Sequence, residues 1–303
     1  MRARRRLTWG ERLALGAPYA YLAVFFLAPF ALIVKISLSR QALSIPPYEP
    51  VFDWAQGPAV WLDKARELGF DAWRALAADS LYLEAMGGSL AIAAASTLVA
   101  FLVGFPLALA IARSPERWRP LLVALAIAPF WTSFLIRIYA WIMILKDEGL
   151  LNHALMALGV IAAPLELFAT RGAVVLGIVY SYLPFMILPL YAALDKQDAA
   201  LREAAADLGA SPFRVFLTVT LPLAMPGVFA GALLVFIPAV GEFVIPDLLG
   251  GSDMLMIGRQ LWNEFFANRD WPTAAAVAIA LLVLIVGPLT LYERGRVAGE
   301  GAP

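Results

Sequence analysis

Two ionisable side chains lie inside long apolar runs. Glu242 sits in FIPAVGEFVIPDLLGG, and Arg137 sits in PFWTSFLIRIYAWIMIL, from Pro129 to Leu145. A carboxylate in hydrocarbon must protonate or find a positive partner, because an unpaired charge there is strongly disfavoured. Arg137 is one candidate partner for Glu242, and a cationic solute is another. Arg137 faces the same constraint, met either by pairing or by reaching the outer interface near Lys146. Elsewhere reactive groups are scarce. There is no Cys, and His153 is the single histidine. Thiolate chemistry, disulfides and a histidine metal cluster are therefore excluded within the chain. None of the four lysines follows a glycine, so no GxxxxGK[ST] phosphate loop exists, and GxSxG, HExxH and CxxC are also absent. The chain offers no constellation for an enzyme and no metal or cofactor site.

A second informative stretch is polar. Residues 203–222 read EAAADLGASPFRVFLTVTLP. Asp195 or Asp198 can cap a helix start, and Gly209 suits the left-handed residue that ends one. Leu201, Ala204, Ala205 and Leu208 share a face at helical spacing. Ser211-Pro212 opens a second short helix, with Ser as cap and Pro in the first turn. Pro222 and Pro226 are expected to interrupt before the next apolar run. The stretch therefore predicts two short helices meeting at a glycine corner. They present an alanine face that another backbone can approach, bordered by Arg202, Glu203 and Asp207.

The elements that must hold these residues are membrane spans. The chain has 303 residues, 62% of them hydrophobic, and zero formal net charge. Such composition lies well above that of soluble domains, and the neutral charge gives no field for nucleic acid. Six apolar segments reach the roughly 20 residues a span needs. They are 17–38, 85–112, 120–145, 172–194, 223–249 and 272–292, and they predict an all-α integral membrane protein. Arg2, Arg4, Arg5, Arg6 and Arg12 put the N-terminus in the cytoplasm, and six spans return the C-terminus there. On that assignment the inner side carries thirteen Lys and Arg, including Arg294 and Arg296, against eight on the outer side. Residues 203–222 then lie inside. The basic start and long first apolar run predict an uncleaved signal anchor.

The outer segments are expected to be interfacial. Residues 40–84 hold Trp54, Trp61 and Trp73 among seven acidic residues. Spacing over Asp63–Ala78 predicts one amphipathic helix with Ala65, Leu68, Trp73 and Leu76 on its apolar face. Residues 250–271 predict an external loop whose Trp262, Phe265, Phe266 and Trp271 form an aromatic belt. Residues beyond Tyr292 are expected to fray.

The spacing in 203–222 carries a resemblance. Glu203-Ala204-Ala205, three residues, Gly209, nine residues, then Val219-Thr220-Leu221-Pro222 resembles the EAA loop of ABC importer permeases, with Val219 where that pattern has Ile. PFWTSFLIRIYAW, VFIPAVGEFVIPDLLGG and MIGRQLWNEFFANRDWP look like the spermidine/putrescine branch, and the likeness extends over about residues 85–290. The resemblance implies six transmembrane helices in the type-1 ABC importer permease (MetI-like) fold. Its implied layout is a leader at 1–16, a first helix and external loop at 17–84, a core at 85–292 with a coupling loop at 195–225, and a tail at 293–303. The implied partners are a cytoplasmic ABC ATPase dimer, a second permease subunit, an external solute-binding protein, membrane lipid and a polyamine, putrescine or spermidine. ATP hydrolysis would occur on the separate ATPase chain, and the permease would work by alternating access. Glu203, Ala204, Ala205, Gly209, Leu221 and Pro222 take the coupling role. A polyamine site should join carboxylates to aromatic faces, which makes Glu242 with Trp131, Tyr139 and Trp141 the candidate pathway set. A permease for another small solute, and a self-contained secondary transporter or channel, are the competing expectations.

Overall fold

A computed structural model describes residues 9–53, 55–252 and 254–300. Arg2, Arg4, Arg5, Arg6 and Trp54 lie outside the described residues, as do the side chains of Arg12, Arg294 and Arg296. The described chain is helical apart from one two-stranded ribbon, and it divides into two compact units, residues 1–82 with 261–303, and residues 83–260.

In the first unit, Trp9–Leu22, the π-turn Ala23–Leu27 and Ala28–Ser37 follow one another, and Ala14–Ser37 is long and apolar enough to cross a membrane. Arg40–Gln41 and Tyr48–Glu49 then pair antiparallel, Arg40 opposite Glu49. Lys35 reaches out of its helix to the carbonyl of Pro50 and lies 4.2 Å from the Tyr48 ring centroid. That contact carries its charge to the external segment, as snorkelling requires. The single amphipathic helix expected over 63–78 is instead two, Pro58–Arg66 and Asp71–Ala78. The break comes at Gly69, whose amide donates to the Leu38 carbonyl at 2.8 Å and so leaves the helical ladder. Ala72 and Leu76 are the buried side of the second helix. The predicted loop at 250–271, of which only residues from 261 on belong to this unit, contains the helix Ile257–Trp262 and the π-turn Asn263–Ala267. Its aromatics close on one another, Phe265 stacking on Trp271 at 4.9 Å. The expected frayed tail is helical: Trp271–Glu300 is continuous, with its apolar part at Trp271–Gly287.

In the second unit, Ser80–Arg113, Arg171–Asp195 and Pro212–Val240 are each long and apolar enough to span. Arg171–Asp195 and Leu221–Val240 form the closest pair, around Met186, Leu190, Leu194, Ala224 and Val235. Gly227 and Gly231, one turn apart, allow this approach. A Cβ on Gly227 would stand 2.6 Å from Ala193 Cβ and 2.6 Å from the Pro189 carbonyl, and one on Gly231 would stand 2.8 Å from Met186 Sδ. Gly227→Val should therefore wedge the two helices apart, a cost of about 1–3 kcal/mol or more for overpacking. The expected result is a large drop in folded protein recovered from membranes, read by fluorescence-detected size exclusion.

Two expected spans are not straight. The third breaks into Arg119–Trp131 and Phe134–Ala157, bent by 86°. Pro129 sits in the 3-10 turn Ala128–Trp131, Thr132 is extended and Ser133 is also non-helical, so the helical ladder cannot pass through. The fifth starts earlier than expected and ends at Val240. Gly241 and Phe243 leave helical geometry, and Val244–Leu249 is a separate short helix. Pro222 and Pro226 do not interrupt. Pro222 falls in the first turn after the π-turn Phe216–Thr220, where the wider turn accommodates its missing donor, and Pro226 lies within the helix.

Candidate functional site

The elbow at 195–222 is built from local caps. Asp198 Oδ1 accepts from the Ala200 amide at 2.9 Å and starts the helix Ala199–Asp207. Asp195 does not cap it and pairs instead with Arg119 at 2.6 Å. At the other end the Gly209 amide donates to the Ala206 carbonyl at 2.8 Å, and the Ala210 amide to the Ala205 carbonyl at 3.1 Å. These two bonds are a Schellman closure, and they require Gly209 at φ +82°. Ser211 Oγ then accepts from the Arg214 amide and begins Pro212–Val215. Gln197 Nε2 donates to the Thr220 carbonyl at 3.0 Å, tying the start of the loop to its end. The sequence reading missed Gln197, because its partner lies 23 residues on.

Glu203, Ala204, Asp207 and Gly209 are exposed, and Ala205 is half-buried. Leu201 and Leu208, on the Ala204 side, are 50% and 89% exposed, and Phe213 is 71% exposed. Leu221 is half-buried and Pro222 exposed at the start of the long helix. The elbow thus offers an apolar face edged by carboxylates, held at a fixed angle.

Glu242 is 7% exposed. Its Oε1 accepts from the amides of Phe243, Val244 and Ile245 at 3.1, 3.0 and 3.4 Å, and its Oε2 accepts from the Tyr182 hydroxyl. The carboxylate therefore caps the helix Val244–Leu249 and pins the break to the Arg171–Asp195 helix. Arg137 is not the partner. Arg137 is 8% exposed, and its guanidinium packs over Phe130 at 5.4 Å and Phe134 at 5.8 Å and leaves Nε and Nη1 without a hydrogen bond. Phe130 contacts Phe185, and Phe185 contacts Tyr182, so an aromatic chain joins the Arg137 region to the Glu242 cap.

The aromatic members of the pathway set are dispersed. Trp131 is 80% exposed at the break in the third span, and Tyr139 is exposed on the following helix. Trp141 points inward and meets Tyr180 edge-on at 5.4 Å. Among the described residues, no hydrogen bond joins any of the three to Glu242, whose partners are Tyr182 and three backbone amides.

A cavity of about 510 Å³ lies at the end of the Arg171–Asp195 helix away from the elbow, lined by Lys146, Asp147, Glu148, Glu166 and Phe168. Asn152, fully buried, holds its walls together. Its Nδ2 donates to the carbonyls of Lys146 and Leu165, and its Oδ1 accepts from the Leu165 amide. Three carboxylates, Lys146 and the Phe168 ring come together here, a grouping that the sequence does not reveal. Asp147-Glu148 was visible as a charge pair, but its approach to Glu166 depends on the Asn152 clasp.

The sequence pattern of the binding-protein-dependent transport system inner membrane component matches residues 100–292. The chain is 44% identical over 216 residues to the spermidine/putrescine transport system permease protein PotB of Haemophilus influenzae, across 71% of this chain and 76% of that one. It is 45% identical to the protein of the same name from Escherichia coli K12, across 71% and 78%. In fold it is similar to a bacterial ABC transporter involved in alginate import, with a TM-score of 0.65 at 18% identity, covering 94% of this chain and 96% of that one. With several helices long and apolar enough to span, a helical fold shared with an ABC transporter and a family pattern over most of its length, the chain belongs to the inner-membrane permease components of binding-protein-dependent ABC importers, and is a transport subunit.

Proposed function

We propose that this permease carries a polyamine, putrescine or spermidine, and that residues 203–222 couple it to a cytoplasmic ATPase dimer. The observation that carries the coupling reading is the elbow itself: an apolar face exposed beside a Schellman corner, on a chain with no phosphate loop of its own. Glu203, Ala204, Ala205, Gly209, Leu221 and Pro222 are its coupling residues. Support for the solute comes from relatives named for spermidine and putrescine at 44–45% identity, and from the cavity at Asp147, Glu148, Glu166 and Phe168. Three carboxylates beside an aromatic side chain suit a flexible multivalent cation.

On this reading both termini and the elbow are cytoplasmic, and the acidic cavity faces an external solute-binding protein. The core at 85–292 moves against a second permease subunit by alternating access, and the segments 1–16, 17–84 and 293–303 flank it. Trp131 and Tyr139 border the solute path or the second subunit at the broken span. Trp141 supports that span against Tyr180. Glu242 acts on the path by holding the break.

Reconstitution with the ATPase, the second permease and the binding protein should give ATP-dependent uptake of labelled spermidine. Asp147→Asn, Glu148→Gln and Glu166→Gln together should raise the KM for uptake about tenfold, as loss of about 1–2 kcal/mol of cation attraction at a partly exposed site implies. Assembly should be unaffected. An unchanged KM would remove the cavity from the path, and absent uptake of every polyamine would remove the solute assignment.

A further inference from the structure

A second cavity, of about 500 Å³, lies behind the elbow. Its walls include Leu109, Pro212, Val215 and Phe216, with Arg113 and Arg202 as its charged lining. Neither arginine has a carboxylate within 4.0 Å among the described residues, whereas nearby Arg119 is committed to Asp195. The cavity stands where two spanning helices, Ser80–Arg113 and Pro212–Val240, reach their polar ends. Phe105 meets Phe216 edge-on at 5.4 Å and joins the two helices there. Trp118, in the connection just after Arg113, is 48% exposed, as an aromatic at headgroup level would be.

The elbow helix itself separates this cavity from the coupling face. At about 100° per residue, Ala206 lies roughly opposite Ala204 and Leu208, and Arg202 lies beside it on the flank of the apolar face. An ATPase seated on the apolar face therefore leaves the Ala206 side open, with Arg202 at its edge. Two uncommitted guanidinium groups attract a phosphate, and an apolar wall continuing along spanning helices suits an acyl chain rather than water.

We propose that this cavity binds an anionic phospholipid of the elbow-side leaflet, with the phosphate between Arg113 and Arg202 and an acyl chain along Leu109, Val215 and Phe216. The lipid would bridge the end of one span to the back of the elbow. Its presence would make the elbow's stiffness depend on membrane charge.

The test reads lipid and is independent of the solute. The full chain, alone and assembled with its ATPase, is placed in nanodiscs containing phosphatidylglycerol and phosphatidylcholine, then released and weighed by native mass spectrometry. Phosphatidylglycerol should be retained selectively in both preparations. Arg113→Gln with Arg202→Gln should weaken retention about tenfold or more, consistent with loss of two cations near a membrane surface. Arg113→Lys with Arg202→Lys should keep most of it, which separates charge loss from misfolding. Equal retention by the glutamine variant, displacement by millimolar inorganic phosphate, or loss of lipid on ATPase binding would each overturn the proposal.

Discussion

Gly209→Val lowers polyamine uptake by about tenfold or more while leaving the amount of folded permease nearly unchanged. Gly209 holds φ +82°, and a Cβ placed there would meet nothing within 4 Å. The penalty is therefore conformational rather than steric contact with a neighbour. A left-handed residue with a side chain costs about 1–2 kcal/mol, more when β-branched, and 1.4 kcal/mol is already tenfold in the population of the closed corner. Gly209→Asn should retain most uptake, because asparagine visits this region more readily. Gly209→Pro should be worse than Val. It fixes φ near −65° and deletes the 2.8 Å bond from the Gly209 amide to the Ala206 carbonyl. Since the corner is exposed, thermal stability in detergent should barely move, whereas co-purification of the ATPase should fall with uptake. Full ATPase coupling in the Pro variant would refute the role assigned to the elbow.

Glu242→Ala produces the other large loss, by a different route. It removes the acceptor for three backbone amides and for the Tyr182 hydroxyl, all in a nearly buried site. Hydrogen bonds to a charged group contribute about 1.5–3 kcal/mol each, and orphaned buried donors add their own desolvation penalty. A loss of about 3 kcal/mol or more is expected, seen as a lower thermal midpoint and little assembled transporter. Tyr182→Phe deletes one of these bonds and should cost about 1–2 kcal/mol. Glu242→Gln keeps one carbonyl oxygen for the amides and should fall between the two. The KM for solute separates cap from ligand. A cap predicts fewer working transporters with unchanged KM, while a raised KM at unchanged thermal midpoint would make Glu242 a solute ligand.

Among the described residues, contacts set the fate of the two membrane charges in ways their positions in the sequence did not reveal. Glu242 was legible as a group that needs a partner. Its partner was not, because Tyr182 lies 60 residues earlier and the three amides are free only once the helix stops at Val240. Arg137 was one of two candidate partners for Glu242, beside a cationic solute, yet it lies against Phe130 and Phe134. Pro222 read as an interruption because a proline lacks a donor. The π-turn just before it supplies a widened helix in which that donor is not needed.

What the sequence by itself determined is the class, the approximate positions of the apolar segments and the elbow. Apolar run length and capping chemistry are local, so Asp198, Gly209 and Ser211 specify their helix ends within a few residues. Tertiary structure alone decided where two of the spans break, what Glu242 holds, and the convergence of Asp147, Glu148 and Glu166 on one cavity. Those features arise from hydrogen bonds and packing between residues distant in the chain. Their energies exist only when the helices have met, so no local spacing records them.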